Sequence, residues 1–195
     1  MSISIQIRKG GVIDQRVGAV VCSANNWLIL GTGNAGEIRE ACGAILQKEC
    51  DRIIGKNHNK PLRIGTAVVT GAGKLKNKGV KIVIHAIGLG YRKRVDGKLY
   101  ERIPATLKTI RSAVKNTLAI ADKAQIKSIA FPLMCARQGY NAVKGKKFSE
   151  VIFRSMIKEI EYFGKKKQST MKVLICLKKE HFQNLGCKYT HSASE

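Results

Sequence analysis

The second half of the chain alternates continuously apolar stretches with amphipathic ones, and this alternation narrows the choice of fold more than any other feature. Ser128 to Met134 (SIAFPLM) and Met171 to Leu177 (MKVLICL) are apolar almost throughout. A strand with one solvated face would instead alternate apolar and polar residues. Between and before them, Leu107, Ile110, Val114, Leu118 and Ala121 mark one amphipathic helix, and Phe148, Val151, Ile152, Met156, Ile160 and Phe163 mark another. Strands buried on both faces and joined by helices call for a mostly parallel sheet covered by helices on its two sides, so the predicted class is α/β.

The first half supplies the remaining elements. Ile3, Ile5 and Ile7 alternate with Ser4, Gln6 and Arg8, a half-buried strand broken by Gly10-Gly11. Val17 to Ser23 reads as a fully buried strand. Residues 28–36 (LILGTGNAG) form a glycine-rich loop, followed by one helix with Ile38, Ala41, Cys42, Ile45 and Leu46 on a single stripe. After a polar loop at Lys56–Lys60, Thr66 to Thr70 and Lys81 to Ile87 are strands separated by Gly71, Gly73, Asn77 and Gly79. Tyr91 to Lys98 is charged, contains Asp96-Gly97 and is predicted as loop. A short amphipathic turn around Phe182 and Leu185 follows the last strand. No repeat or linker interrupts the pattern, so a single domain over 1–189 with a frayed tail at 190–195 is expected.

Charge is the outlier in composition. Thirty-six Lys and Arg against 13 Asp and Glu give +23 over 195 residues. Residues 1–60 hold eight basic and five acidic residues, so +20 falls on the remainder. Such a field attracts polyanions, or is simply a lysine-rich solvated surface; charge speaks to association and not to fold. No apolar run approaches the roughly 20 residues that span a bilayer, and Met1 to Lys9 lacks the apolar core of a signal peptide. The six cysteines form no C-x-x-C pair, and several sit in apolar segments. They are expected to be reduced, packed thiols of an intracellular, reducing compartment, cytoplasm or nucleus. No metal or cofactor site is expected, and the chain is expected to be a monomer.

In open α/β sheets, ligands bind beyond the carboxyl ends of the strands. Two loops meet that condition. Residues 25–36 run from a strand through Gly31-Thr32-Gly33 and Ala35-Gly36 into a helix. Glycines let the backbone approach a ligand, and the helix start offers free N–H groups and a positive dipole end, together a phosphate cradle. A plain strand-to-helix connection is the competing reading. Gly31, Gly33 and Gly36 have dinucleotide-fingerprint spacing, but the acidic residue required about 20 positions on would fall at the end of a helix, in Cys50–Gly55. The second loop offers Arg137, Gln138, Gly139 and Tyr140, groups suited to pyrophosphate and ribose.

The order of these pieces resembles the macro domain family over nearly all of residues 3–186. The counterparts are Val20-Val21-Cys22-Ser23-Ala24-Asn25, then Gly31-Thr32-Gly33-Asn34-Ala35-Gly36-Glu37-Ile38, then Gly65 to Leu75 (GTAVVTGAGKL), Val83 to Gly88 (VIHAIG), Ser128 to Pro132 (SIAFP), and Ala136 to Tyr140. The resemblance implies a three-layer αβα sandwich with a mixed, mostly parallel central sheet, and a cleft for ADP-ribose, free or attached to protein. By that analogy Asn25 contacts the proximal ribose and is the one candidate catalytic residue. Gly31, Thr32, Gly33, Asn34 and Ala35 line the pyrophosphate, Ala136, Arg137, Gln138 and Gly139 wrap it from the other side, and Tyr140 flanks the distal ribose. His85 is read as a packed core histidine.

The departures from the family pattern define the alternatives. The adenine-gripping Asp is replaced by Gly11 or Val12, with Asp14 nearby. The aromatic after the last strand is replaced by Leu177 or Lys178. The first Asn of the N-A-A-N element is Cys22, which has no evident His partner as a nucleophile. No Asp, Glu or His is expected on the cleft. The principal expectation is a module that binds ADP-ribose. The alternatives are a mono-ADP-ribosyl or O-acetyl-ADP-ribose hydrolase with an atypical site, and a drifted fold that binds RNA or poly(ADP-ribose) through its basic surface.

Overall fold

A computed structural model describes residues 3–136 and 146–186. In chain order these form β1 (Ser4–Lys9), β2 (Ala19–Asn25), α1 (Gly33–Cys42), α2 (Ile45–Lys56), β3 (Ala67–Gly71), β4 (Ile82–Val95), β5 (Lys98–Ile103), α3 (Leu107–Lys123), β6 (Ser128–Pro132), α4 (Lys146–Lys167), β7 (Lys172–Leu177) and α5 (Lys179–His181). The last of these runs on into a wide helical turn at Phe182–Gly186. The strands make one seven-stranded sheet in the order β1-β7-β6-β2-β4-β3, with β5 paired to β4 beyond it. β1, β7, β6, β2 and β4 are all parallel, and β3 and β5 run antiparallel to β4. The sheet is therefore mixed and mostly parallel, as the apolar strands predict.

Side-chain alternation sorts the core into two layers. Ala19 and Val21 of β2, Ile84 and Ala86 of β4, Ile129 and Phe131 of β6, and Val173 and Ile175 of β7 pack with the apolar stripes of α3 and α4. The intervening residues, Val20, Cys22, Val83, Ile87, Ala130 and Leu174, pack with Ile38, Leu46, Cys50 and Ile54 of α1 and α2. Both faces are thus covered, and both sets of residues must be apolar because neither reaches water. No helix among the described residues is long and apolar enough to cross a membrane.

Two local expectations are corrected. The single helix expected after residue 36 is two. Gly43 stops α1 at φ +84°, a conformation that glycine adopts without steric cost, and its N–H closes back on Arg39 O. The apolar stripe restarts in a new frame at Leu46, Cys50 and Ile54, which leaves Ile45 45% exposed. The segment expected as loop, Tyr91 to Lys98, is the outer half of β4 and the turn of a β-hairpin. Val95 pairs with Lys98 around Asp96 and Gly97, whose φ angles of +46° and +76° define the tight turn that Asp-Gly favours. The sequence carried that signal, but the surrounding charges belong to an exposed hairpin instead of a loop.

The described cysteines, Cys22, Cys42, Cys50, Cys135 and Cys176, are unpaired and buried. His85 is packed as expected. Fully buried in β4, its Nε2 hydrogen-bonds Thr70 Oγ1 at 2.9 Å and lies 3.8 Å from Cys50 Sγ. Burial disfavours the charged ring and lowers its pKa to about 4. The unfolded chain binds this proton near pH ~6.5. The stabilisation from the neutral ring is therefore complete above that pH and is lost as pH falls through the folded value, an effect of roughly 3 kcal/mol. We expect the urea midpoint to drop between pH 7 and pH 4, and His85→Gln, which keeps a partner for Thr70, to show a shallower drop. Superimposable pH profiles of the two proteins would exclude a buried neutral histidine here.

Candidate functional site

A cleft of about 310 Å³ opens at the carboxyl ends of β2, β6 and β7. Its floor is built by β2 and the turn after it. Asn25 Oδ1 accepts from Trp27 N at 3.0 Å, and its Nδ2 donates to Ile29 O at 2.8 Å. The amide thereby holds its own turn, and its second N–H is what it has left to offer a ligand. Asn26 and Trp27 reach across to the hairpin root. Asn26 Oδ1 accepts from Tyr91 N at 2.8 Å, while Asn26 Nδ2 and Trp27 Nε1 both donate to Tyr91 O. A Cβ on Gly90 would lie 2.7 Å from the Asn26 amide, so that contact needs glycine.

The glycine-rich segment forms one wall. Its last residues are helical, because α1 already begins at Gly33. Thr32 precedes the helix without a side-chain cap, and no acidic residue stands in the first turn, so the leading N–H groups and the positive dipole end face the cleft uncovered. Two contacts seat this start. Asn34 Oδ1 accepts from Ser23 N at 2.8 Å, and Gly36 packs so closely that a Cβ there would meet Gly31 O at 2.5 Å. A Cβ at Gly31 or Gly33 would meet no heavy atom within 4 Å, so the two glycines leave open space where a ligand backbone can approach. Gly33 also sits at φ +65°.

The opposite wall is tied to the same strand. Ser23 Oγ accepts from Cys135 N at 3.2 Å and lies 3.8 Å from Cys135 Sγ. Leu133, Cys135 and Ala136 line the cleft there. Burial pushes the Cys135 thiol up to about 11, so it is not a ready nucleophile. Of the expected ligand residues, Asn25, Gly31, Thr32, Gly33, Asn34, Ala35 and Ala136 are brought together on this one cleft. Arg137, Gln138, Gly139 and Tyr140 lie outside the described residues.

Several lining residues were not expected. Tyr91 and Leu99 come from the hairpin and close the rim beside Leu89. Glu37 and His181 also line the cleft, which corrects the expectation that no Asp, Glu or His would. Glu37 lies one turn into α1, and His181 is carried in by the helical segment that folds back after β7. Glu37 is ion-paired with Lys178. Of the two residues considered after the last strand, Lys178 lines the cleft, whereas Leu177 points into the α3–α4 layer. Val12 is buried on the cleft floor, and Asp14 spends its carboxylate on Gly11 N at 2.9 Å. Cys22 faces the α1–α2 layer, and burial raises its thiol pKa far above the ordinary value. Among the described residues no His, Cys, Asp and Glu gather as a metal site.

Fold and site together define a class: an α/β domain with a mixed, mostly parallel sheet and a glycine-flanked helix start that opens on a cleft at the carboxyl edge. The family model for the macro domain matches residues 21–144. The chain is 33% identical over 168 residues to a macro domain-containing protein of Caldanaerobacter subterraneus, covering 83% of this chain and 89% of that one. It belongs to the macro domain family. An uncharacterised protein of Thermotoga maritima is 39% identical over 131 residues, 66% of this chain but 19% of that longer protein. Among solved structures, the Oceanobacillus iheyensis macrodomain with ADP superposes with a TM-score of 0.72 at 18% identity, over 96% of this chain and 90% of that one. The Trypanosoma brucei macrodomain in complex with ADP-ribose does so at 0.70 and 19%, over 94% and 68%. At these identities the superpositions speak to the fold alone.

The contrast between Gly31 and Gly36 is testable. Gly36→Ala forces a methyl group onto a backbone carbonyl and should cost about 1–3 kcal/mol. Gly31→Ala should change stability by less than about 0.5 kcal/mol. Equal shifts in the urea midpoint would contradict the packing of the helix start.

Proposed function

We propose that this chain binds ADP-ribose, free or linked to protein, with the diphosphate against the Gly31–Ala35 segment. The observation that carries this reading is the uncapped start of α1, with Gly31 and Gly33 leaving open space in front of it. Backbone N–H groups and a helix dipole aimed into a cleft favour a phosphate over any neutral ligand. The cleft extends to either side of that point, so a diphosphate there has room for a substituent at each end. Its volume falls within the roughly 300–1,000 Å³ of small-ligand sites. Relatives of the same fold hold ADP and ADP-ribose.

The reading favours a binding module over a hydrolase. Removing ADP-ribose from a protein needs a positioned water and a group to accept its proton. The carboxylate that lines the cleft among the described residues, Glu37, is engaged by Lys178, and His181, the other lining group able to take a proton, comes from the segment after β7 and not from the glycine-rich wall. Asn25 can orient a water through its spare N–H but cannot take a proton from it.

The test is a calorimetric titration with ADP-ribose at moderate salt, with AMP as control. Saturable binding that AMP does not reproduce is expected. Gly31→Glu places a carboxylate in the cradle without a positive-φ penalty and should weaken binding by more than about a hundredfold while the thermal melt is retained. Undiminished binding by that variant would move the ligand elsewhere. Release of ADP-ribose from a modified protein under single-turnover conditions would overturn the preference for a reader.

A further inference from the structure

A group of lysines gathers at the pole of the sheet opposite the cleft. Because β1, β7, β6, β2 and β4 are parallel, their amino ends share one edge, and hydrogen bonds run along it. Lys81 N donates to Gly18 O, Gly18 N to Ser128 Oγ, and Lys172 N to Lys127 O. Lys81, Lys127 and Lys172 therefore lie in a row across β4, β2, β6 and β7, about 14 Å from end to end at ordinary strand spacing. All three are exposed.

Both flanks extend the row. On one side is the turn Gly73–Lys78, whose Lys74 lies against Gly43. On the other is the end of α4, residues 165–167 (KKK), beside Gly164, which packs on Ile3 at the start of the chain's first strand. The four ion pairs among the described residues engage Lys93, Arg111, Arg154 and Lys178, none of them at this pole. The carboxylates in its neighbourhood are Asp122, Glu161 and Glu49, the last accepting from Gly71 N at the end of β3, and none forms an ion pair there among the described residues.

We propose that this pole is a second binding surface, for single-stranded nucleic acid held through its phosphodiester backbone, independent of the cleft and open while the cleft is filled. A row of unpaired lysines attracts a linear polyanion by counterion release and needs no base contacts. Tyr162, 55% exposed with Lys166 Nζ 6.0 Å from its ring centroid, adds a flat face on which a base can stack. An anionic membrane is the poorer fit. The large apolar side chains exposed near the pole are the separate residues Ile45, Val69 and Tyr162, and polybasic charge without an apolar or lipid anchor gives weak membrane attachment.

The experiment is fluorescence anisotropy of labelled RNA and DNA strands of about 20 nucleotides with the full chain, across a salt series. Two variants of equal charge change are compared: Lys81→Glu, Lys127→Glu, Lys172→Glu at the pole, and Arg92→Glu, Arg94→Glu, Lys98→Glu on the hairpin. Pole reversal should raise Kd about tenfold or more and flatten the salt slope, by about 0.7 for each phosphate that is no longer neutralised, whereas hairpin reversal should raise Kd less than about threefold. Saturating ADP-ribose should leave the native affinity unchanged. Equal weakening by the two variants would mean diffuse attraction and would overturn the proposal. So would displacement by ADP-ribose, no nucleic-acid binding by the native chain, or equal affinity for phosphatidylserine vesicles. Circular dichroism and melting control for folding, and Lys127→Glu alone replaces the triple variant if that fails to fold. Failure of ADP-ribose to bind would not touch this surface, because the two sites share no residue.

Discussion

The register of β2 is the constraint on which the rest of the molecule depends. Ala19 pairs with Ile82 on one side and Ile129 on the other, so β2 is central and its side chains serve both layers. Val20 and Cys22 feed the α1–α2 layer, and Ala19 and Val21 the α3–α4 layer. A slip of one residue would exchange these sets and also move Ser23, whose backbone N–H and Oγ meet the two walls of the cleft. Core packing and site geometry are therefore one requirement.

That requirement explains how polar functions are divided. Asn25 and Asn26 spend most of their amides on backbone groups, the turn after β2 and the root of the hairpin, while Asn34 spends its carbonyl oxygen on β2 itself. What remains for a ligand is N–H, from the backbone and from these amides. Such a site has few titratable groups: Glu37 and Lys178 are mutually engaged, and His181 lines the cleft from the segment after β7.

Much of this was legible in the chain. The buried strands announced themselves by continuous apolarity, and the long helices α3 and α4 by their spacing, because those patterns reflect burial directly. Gly31 and Gly33 could be placed on a loop leading into a helix at the carboxyl edge because strand, glycines and helix are contiguous, whereas Asn34 was reached only through the family resemblance. Tyr91, Leu99, Glu37 and His181 could not be placed on the cleft in the same way. They reach it from the hairpin, the second turn of α1 and the segment after β7, and their convergence depends on packing between elements distant in sequence. The break at Gly43 leaves no mark on the pattern, because α1 and α2 each continue an apolar stripe and only the φ of one glycine separates them.

By itself, then, the sequence determined the layer order, the parallel sheet and a glycine-lined helix start, since each rests on local pattern and on burial that every residue of a strand or helix must satisfy. It also determined how much positive charge the protein carries, but not where. Tertiary structure decided which residues face the cleft, which amides are already used, and that Lys81, Lys127 and Lys172 line up at the far edge. Those are relations between strands far apart in the chain, and only the order β7-β6-β2-β4 brings them side by side.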